Sequence, residues 1–194
     1  MHKLTREDLY SLEQYAEARN AFRAKVMAHK KNRQIALGDH ATLYFEDRLT
    51  MQYQIQEMLR VERIFEAAAI NEELDTYNPL IPDGKNLKAT FMLEYQDVEE
   101  RQQALMQLKG IEEQVWLCVA GYDKVYPIAN EDLERTNEEK TSAVHFMRLE
   151  LNDDMIAALK AGADLSMGIA HPAYNVAVES LPEANKAALL ADLQ

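Results

Sequence analysis

With 194 residues and 47% hydrophobic content, the chain is long enough to form one domain with a sizeable core. Its 33 acidic residues against 21 basic ones leave a formal net charge of -12, a field that repels polyanions and argues against nucleic acid or an anionic membrane as the main partner. A lone cysteine, Cys118, excludes a disulfide within the chain and suits a reducing, cytoplasmic compartment. Residues 1–10 lack the apolar core of a signal peptide, and no run of about 18 uncharged apolar residues occurs anywhere.

In chain order, the spacing predicts a first helix over residues 6–30, with Thr5 as its N-cap and Glu7 and Asp8 in its first turn. The helix closes in the basic cluster His29, Lys30, Lys31, Asn32, Arg33, where cations suit the helix dipole and solvent. Residues 34–37 and 41–45 read as a hairpin around Gly38, Asp39 and His40. A long helix follows Asp47 and runs to Tyr77, where Pro79, Pro82 and an Asp83-Gly84 step forbid its continuation. Residues 87–95 alternate as a half-buried strand, and a helix capped by Asp97 runs to Leu108 and ends at Gly110. Residues 115–120 and 124–128 read as a second hairpin around Gly121. The acidic stretch 130–140, without an apolar face, reads as a solvated loop or short helix. A strand over 143–151, a helix ending at Gly162, a third hairpin around His171, Pro172, Ala173 and Tyr174, and a last helix from Pro182 complete the chain. The sum is an α+β fold: seven or eight short strands in a mainly antiparallel, hairpin-built sheet, with a long central helix and the N-terminal helix packed against it.

Two charges stand out against this pattern. On the long helix, Met51, Ile55, Met58, Leu59, Phe65 and Ala69 share one side of the wheel, and Glu62 falls in their midst. On the first helix, Arg19 sits within the stripe of Leu9, Leu12, Tyr15, Phe22 and Val26. Burying an isolated carboxylate or guanidinium costs several kcal/mol or more, so Arg19 and Glu62 are expected to face each other or a shared ligand. Arg23 and Glu66, one turn further along, extend the pair into a network. The two readings are an internal ion pair that pins the helices and a pocket lined by Arg19 and Glu62, with Arg48, Gln56, His171 and Tyr174 as further candidate binding residues. A pair of carboxylates one turn apart invites a metal, but the Glu-x-x-His step of di-iron bundles is missing, so no metal and no cofactor is expected. His145 shares a strand face with Met147, Leu149 and Leu151 and reads as a satisfied core histidine, and Cys118 as a small buried side chain. Gly-rich phosphate loops, Gly-x-Ser-x-Gly, His-Glu-x-x-His and Cys-x-x-Cys are all missing, which disfavours the standard nucleotide, hydrolase, zinc-protease and thiol-redox classes.

Several runs together resemble one family. They are Lys3-Leu-Thr-Arg-Glu-Asp-Leu9, Leu43-Tyr-Phe-Glu-Asp-Arg48, Gln54-Ile-Gln-Glu-Met-Leu-Arg-Val-Glu-Arg-Ile64, Tyr77-Asn-Pro-Leu-Ile-Pro82, Phe146-Met-Arg-Leu-Glu-Leu151 and His171-Pro-Ala-Tyr174. The chain resembles, over its whole length, the uncharacterised bacterial family catalogued as domain of unknown function 3501. The resemblance implies no catalytic residue. It does imply a redox or oxidative-stress setting, because members are often encoded beside a rubrerythrin-like protein and an iron-sulfur oxidoreductase similar to a heterodisulfide reductase subunit.

Two functions are therefore expected. One is a cytoplasmic accessory or interaction protein serving a redox pathway through an iron-sulfur or di-iron partner. The other is a small-molecule-binding protein or enzyme with its pocket around Arg19 and Glu62. An exposed edge strand would also suit a homodimer.

Overall fold

The computed structural model describes residues 2–137 and 139–194, and the helix starts it contains follow local capping chemistry. Asp47, Asp97 and Asn152 each accept a hydrogen bond from the main-chain N–H three residues on, at 2.8–2.9 Å. Each thereby satisfies one of the donors that a helix start leaves unpaired. The helices they open are α2 (Arg48–Val61), α4 (Val98–Gln107) and α5 (Asp153–Lys160). The first helix, α1 (Leu12–Lys30), starts later than the pattern predicts. Thr5 opens only the single 3-10 turn Arg6–Asp8, and Ser11 is the N-cap, in a reciprocal box with Gln14.

The predicted long helix is two helices. After α2 the chain breaks, and α3 (Ala67–Tyr77) continues in a new direction. Neither glycine nor proline marks the break. Arg63 adopts the left-handed conformation at φ 55, and the Ile64 N–H reaches back to the Leu59 carbonyl at 2.9 Å. This six-to-one bond past a left-handed residue is a Schellman closure, with Arg63 where glycine usually stands. Glu62 is therefore the exposed C-cap of α2, not a charge within a continuous apolar face. Met51, Ile55 and Leu59 bury themselves with Leu4, Leu74 and Ile81, while Phe65 points into solvent.

The strands form two antiparallel sheets. The remaining elements of the first are β1 (Gln34–Leu37), β2 (Ala41–Glu46), β3 (Asn86–Leu93), β5 (Ile128–Ala129) and β6 (Val144–Glu150), in the order β1-β2-β3-β6-β5. The second contains β4 (Val115–Val119), β7 (Leu165–His171) and β8 (Tyr174–Val178), in the order β4-β7-β8. The hairpins β1–β2 and β7–β8 are as predicted. The second predicted hairpin does not form. Residues 124–128 pair with β4 at a single bridge, Leu117 to Val125, and the chain then leaves to pair as β5 with β6 in the other sheet, while β4 takes its ladder from β7. Apolar residues of both sheets, with Met155, Ile156 and Leu159 of α5 and Leu189 of α6 (Glu183–Leu190), meet in one core. The helices α1–α3 bury two smaller clusters of their own, and α1 packs on α2 through Tyr15, Phe22 and Val26 against Leu49 and Tyr53. Of the acidic stretch 130–140, Glu138 lies outside the described residues. Thr136 turns inward to bond Glu112, so this stretch has a buried side as well as a solvated one.

A non-glycine residue in the left-handed region costs about 1 kcal/mol. Arg63→Gly is expected to raise unfolding stability by about that amount in urea titration. A loss of stability would mean that the Arg63 side chain makes contacts worth more than its backbone strain.

Candidate functional site

The α2 helix carries an unusual density of carboxamides and charges, and their partners explain it. Residues 4–10 cross α2 as a strap held largely by its main chain. Gln56, fully buried, accepts from the Tyr10 N–H at 2.6 Å and donates to the Tyr10 carbonyl at 3.4 Å. Asn78, at the end of α3, does the same for Leu4, at 2.7 and 2.9 Å. Gln52 donates to the Asp8 carbonyl at 2.7 Å, and Arg48 pairs with the Asp8 carboxylate at 2.5 Å. Two of the predicted binding residues, Gln56 and Arg48, are thus engaged by the strap.

Arg19 faces Glu57 instead of Glu62. Its Nε and Nη2 donate to the two carboxylate oxygens at 2.7 and 2.8 Å, and the buried Tyr15 hydroxyl donates to the same carboxylate at 2.7 Å. Glu57 lies five residues before Glu62, on the α2 flank that α1 covers, and the helix end carries Glu62 away from that contact. The forked bond from Arg19, aided by Tyr15, holds the Glu57 carboxyl down at about 2. Burial and the same carboxylate push the Tyr15 hydroxyl up. The structure thus selects the ion-pair geometry for Arg19, with a different acid.

His171 and Tyr174 do not join this region. His171 is buried at its turn, with Nε2 3.2 Å from the Lys109 carbonyl and Nδ1 accepting from the Ala173 N–H at 3.1 Å. Tyr174 donates to the Leu37 carbonyl at 2.7 Å and accepts from the His40 N–H at 3.1 Å, which fastens the β7–β8 turn over the β1–β2 turn. A side chain at Gly38 would stand 2.6 Å from the Tyr174 hydroxyl, and the φ of 77 there also calls for glycine. His145 is the satisfied core histidine expected of it: its ring meets Thr141, Asn130 and the Ser142 carbonyl at 3.0–3.2 Å, and burial pushes its pKa down. Cys118 is half-buried and donates to the Tyr122 carbonyl at 3.2 Å. Among the described residues no three His, Cys, Asp or Glu side chains are grouped to hold a metal.

One network has no counterpart in the sequence reading. Arg33, 2% exposed, belongs to the cluster expected to be a solvated helix end. It turns inward and donates to the carbonyls of Phe45, Ala188 and Glu46 and to the Asp192 carboxylate, with Asp47 3.5 Å away. His29 joins at Asp47. Burial pushes the Asp192 carboxyl up to about 6 against the pull of Arg33.

Between the strap and the helix break lies a half-open cleft of about 540 Å³. Leu9, Tyr10 and Leu12 line one wall; Leu59, Ile64, Phe65 and Ile70 line the other. Leu59 and Ile64 are the two residues joined by the Schellman bond, so the turn that ends α2 also builds this wall. Phe65 is 73% exposed, Val61 62% and Tyr10 38%. Large apolar side chains in solvent beside a cleft are the usual mark of an interaction surface. The signal available in the sequence was Glu62 itself: a charge that breaks an apolar stripe marks a helix end as readily as a buried site.

Fold and cleft define an α+β protein in which a strapped three-helix layer carries the candidate surface beside two antiparallel sheets. The chain belongs to the family described as protein of unknown function DUF3501, whose model matches residues 3–193. It is similar to a novel protein of unknown function from Burkholderia pseudomallei K96243, seen in a crystal structure at 1.90 Å resolution. The two are 50% identical over 100% of both chains, with a TM-score of 0.94. Among curated proteins nothing matches.

The depressed Glu57 carboxyl contributes stability that is present above the ordinary value of 4.5 and lost as pH falls toward 2. Glu57→Gln is expected to remove about 1–2 kcal/mol at pH 7, a figure discounted for solvent access to the pair, and to flatten the stability limb between pH 2 and 4.5. Asp192 acts with the opposite sign. Its raised carboxyl favours the folded state when protonated, so its contribution is lost as pH rises from 3.8 to about 6, and Asp192→Asn should flatten that interval. Urea melts at stepped pH check both, and an unchanged acid limb in the Glu57 variant would refute the first.

Proposed function

We propose that the protein is a cytoplasmic accessory protein that works by binding another protein through the cleft at the α2–α3 break. The observation that carries this reading is the exposure of Phe65 and Tyr10 on the walls of that cleft, with Val61 also exposed at the end of α2. An aromatic side chain in water on the wall of a cleft that also presents Leu9, Leu12, Leu59 and Ile64 is typical of the anchor around which protein interfaces form. The net charge of -12 favours a partner with a basic surface, since such a pair is drawn together at long range. The family resemblance supports a redox setting, with an iron-sulfur oxidoreductase or a rubrerythrin-like protein as the partner.

The cleft volume supports a second reading, a small-molecule pocket at the helix break, because about 540 Å³ falls within the range of ligand sites. Native mass spectrometry of tagged protein from its own host, with iron analysis, separates the two. The accessory reading expects an iron-containing protein to co-purify with the wild type, and Phe65→Asp to reduce its recovery at least tenfold while the melting temperature stays within a few degrees. A small molecule bound in the absence of any protein partner would shift the assignment to the pocket, and partner recovery unaffected by Phe65→Asp would remove the cleft from the interface.

A further inference from the structure

The strap has the contacts of a bound peptide. Its fixed points are set largely through main-chain atoms: Asn78 holds both the N–H and the carbonyl of Leu4, Gln56 holds both at Tyr10, and Gln52 holds the Asp8 carbonyl. A carboxamide that donates to a carbonyl and accepts from the N–H of the same residue reproduces the pairing of a neighbouring strand. It does so whatever side chain that residue carries. Side-chain identity is read at Leu4 and Asp8, and again where Leu9 packs on the same apolar cluster and the Tyr10 ring on Tyr15 and Phe22. Leu4, 3% exposed, fills an apolar seat among Met51, Ile55, Leu59, Leu74 and Ile81, and the Asp8 carboxylate meets Arg48. The backbone is extended at Thr5 and again at Leu9, with the one turn Arg6–Asp8 between them.

The seat is wider than the strap. Besides the cleft at the helix break, cavities of about 700 and 420 Å³ open along the strap, one beside Gln52 and Glu17 and one beside Asn71, Leu74 and Asn78. The strap fills the clamp points and leaves these flanks open. A second copy of this chain would bring an identical segment and fill no more of them, whereas a bulkier segment would.

We propose that the trough on α2 and α3 is a peptide-binding groove, occupied in cis by the strap, that takes a segment of the protein partner when the strap is displaced. The incoming segment carries a leucine-like residue at the Leu4 seat, an acid four residues later for Arg48, and larger side chains between. This rests on the protein-binding reading above and specifies what the partner presents.

The probe is a fluorescent peptide of the strap itself, residues 2–10, titrated by anisotropy against the full chain. Asp8→Ala loosens the strap and leaves the groove intact, so the peptide is expected to bind this variant at least tenfold more tightly than the wild type. Gln56→Ala with Asn78→Ala, added to Asp8→Ala, is expected to reverse the gain. Should that variant fail to fold, Arg48→Ala in the Asp8→Ala background replaces it, and it weakens the peptide through its own acid while sparing the buried amides. No gain on loosening the strap overturns the groove, and so does a gain that the groove variants leave untouched. Light scattering runs alongside: a concentration-dependent dimer of the Asp8→Ala chain without added peptide affinity would assign the trough to a second copy and overturn the partner assignment. Phe65→Asp keeps the two readings apart. Partner recovery that depends on Phe65 with no peptide response sinks the groove alone, and a peptide response with no partner recovered supports the groove while sinking the accessory function.

Discussion

The buried guanidinium of Arg33 is the constraint on which the arrangement of the chain turns. It leaves α1 at a helix end that would otherwise be solvated, and every one of its nitrogen atoms finds an acceptor: main-chain carbonyls from β2 and α6 and the carboxylates of Asp192 and Asp47. One side chain therefore ties the end of α1, strand β2 of the larger sheet, the start of α2 and the C-terminal helix to one another. A charge this deep is stable only because its partners are complete, and removal of one of them leaves an uncompensated ion that costs about 3–5 kcal/mol. Asp192, so close to the chain end, is held in the interior by this demand, against the desolvation that disfavours its charged form.

The cleft depends on a smaller constraint. Apolar spacing alone would carry α2 on to Tyr77, and the helix instead stops one turn past Leu59 in a left-handed residue that is not glycine. The Ile64 N–H then satisfies the Leu59 carbonyl, and the two side chains close one wall of the cleft. A residue in a costly backbone conformation next to an exposed aromatic is the kind of place where strain and function coincide. Glu62, which looked like a buried charge, is explained by solvent at a helix end.

The polar residues of α2 illustrate a second point about reading side chains. Gln52, Gln56 and Arg48 have the donors and acceptors of a binding site, and each bonds the chain's own N-terminal strap. Carboxamides recognise main chain well because one group both donates and accepts. The polar groups expected to hold a ligand are engaged within the chain, by its own N-terminal segment.

The sequence by itself determined what neighbouring residues decide: the cap at Asp97, the start of α2 after Asp47, the β1–β2 and β7–β8 hairpins, the core histidine and the antiparallel α+β class. These rest on bonds and alternation within a few residues, so local physics is enough to specify them. The tertiary structure alone decided that β4 would pair with β7 and β5 with β6, that Arg19 would meet Glu57, that Asn78 would hold Leu4, and that Arg33 would meet Asp192. Those partners lie from 18 to 159 residues apart. Composition and spacing show that a buried charge or an apolar strand needs a partner; which distant residue supplies it depends on how the helices and sheets pack.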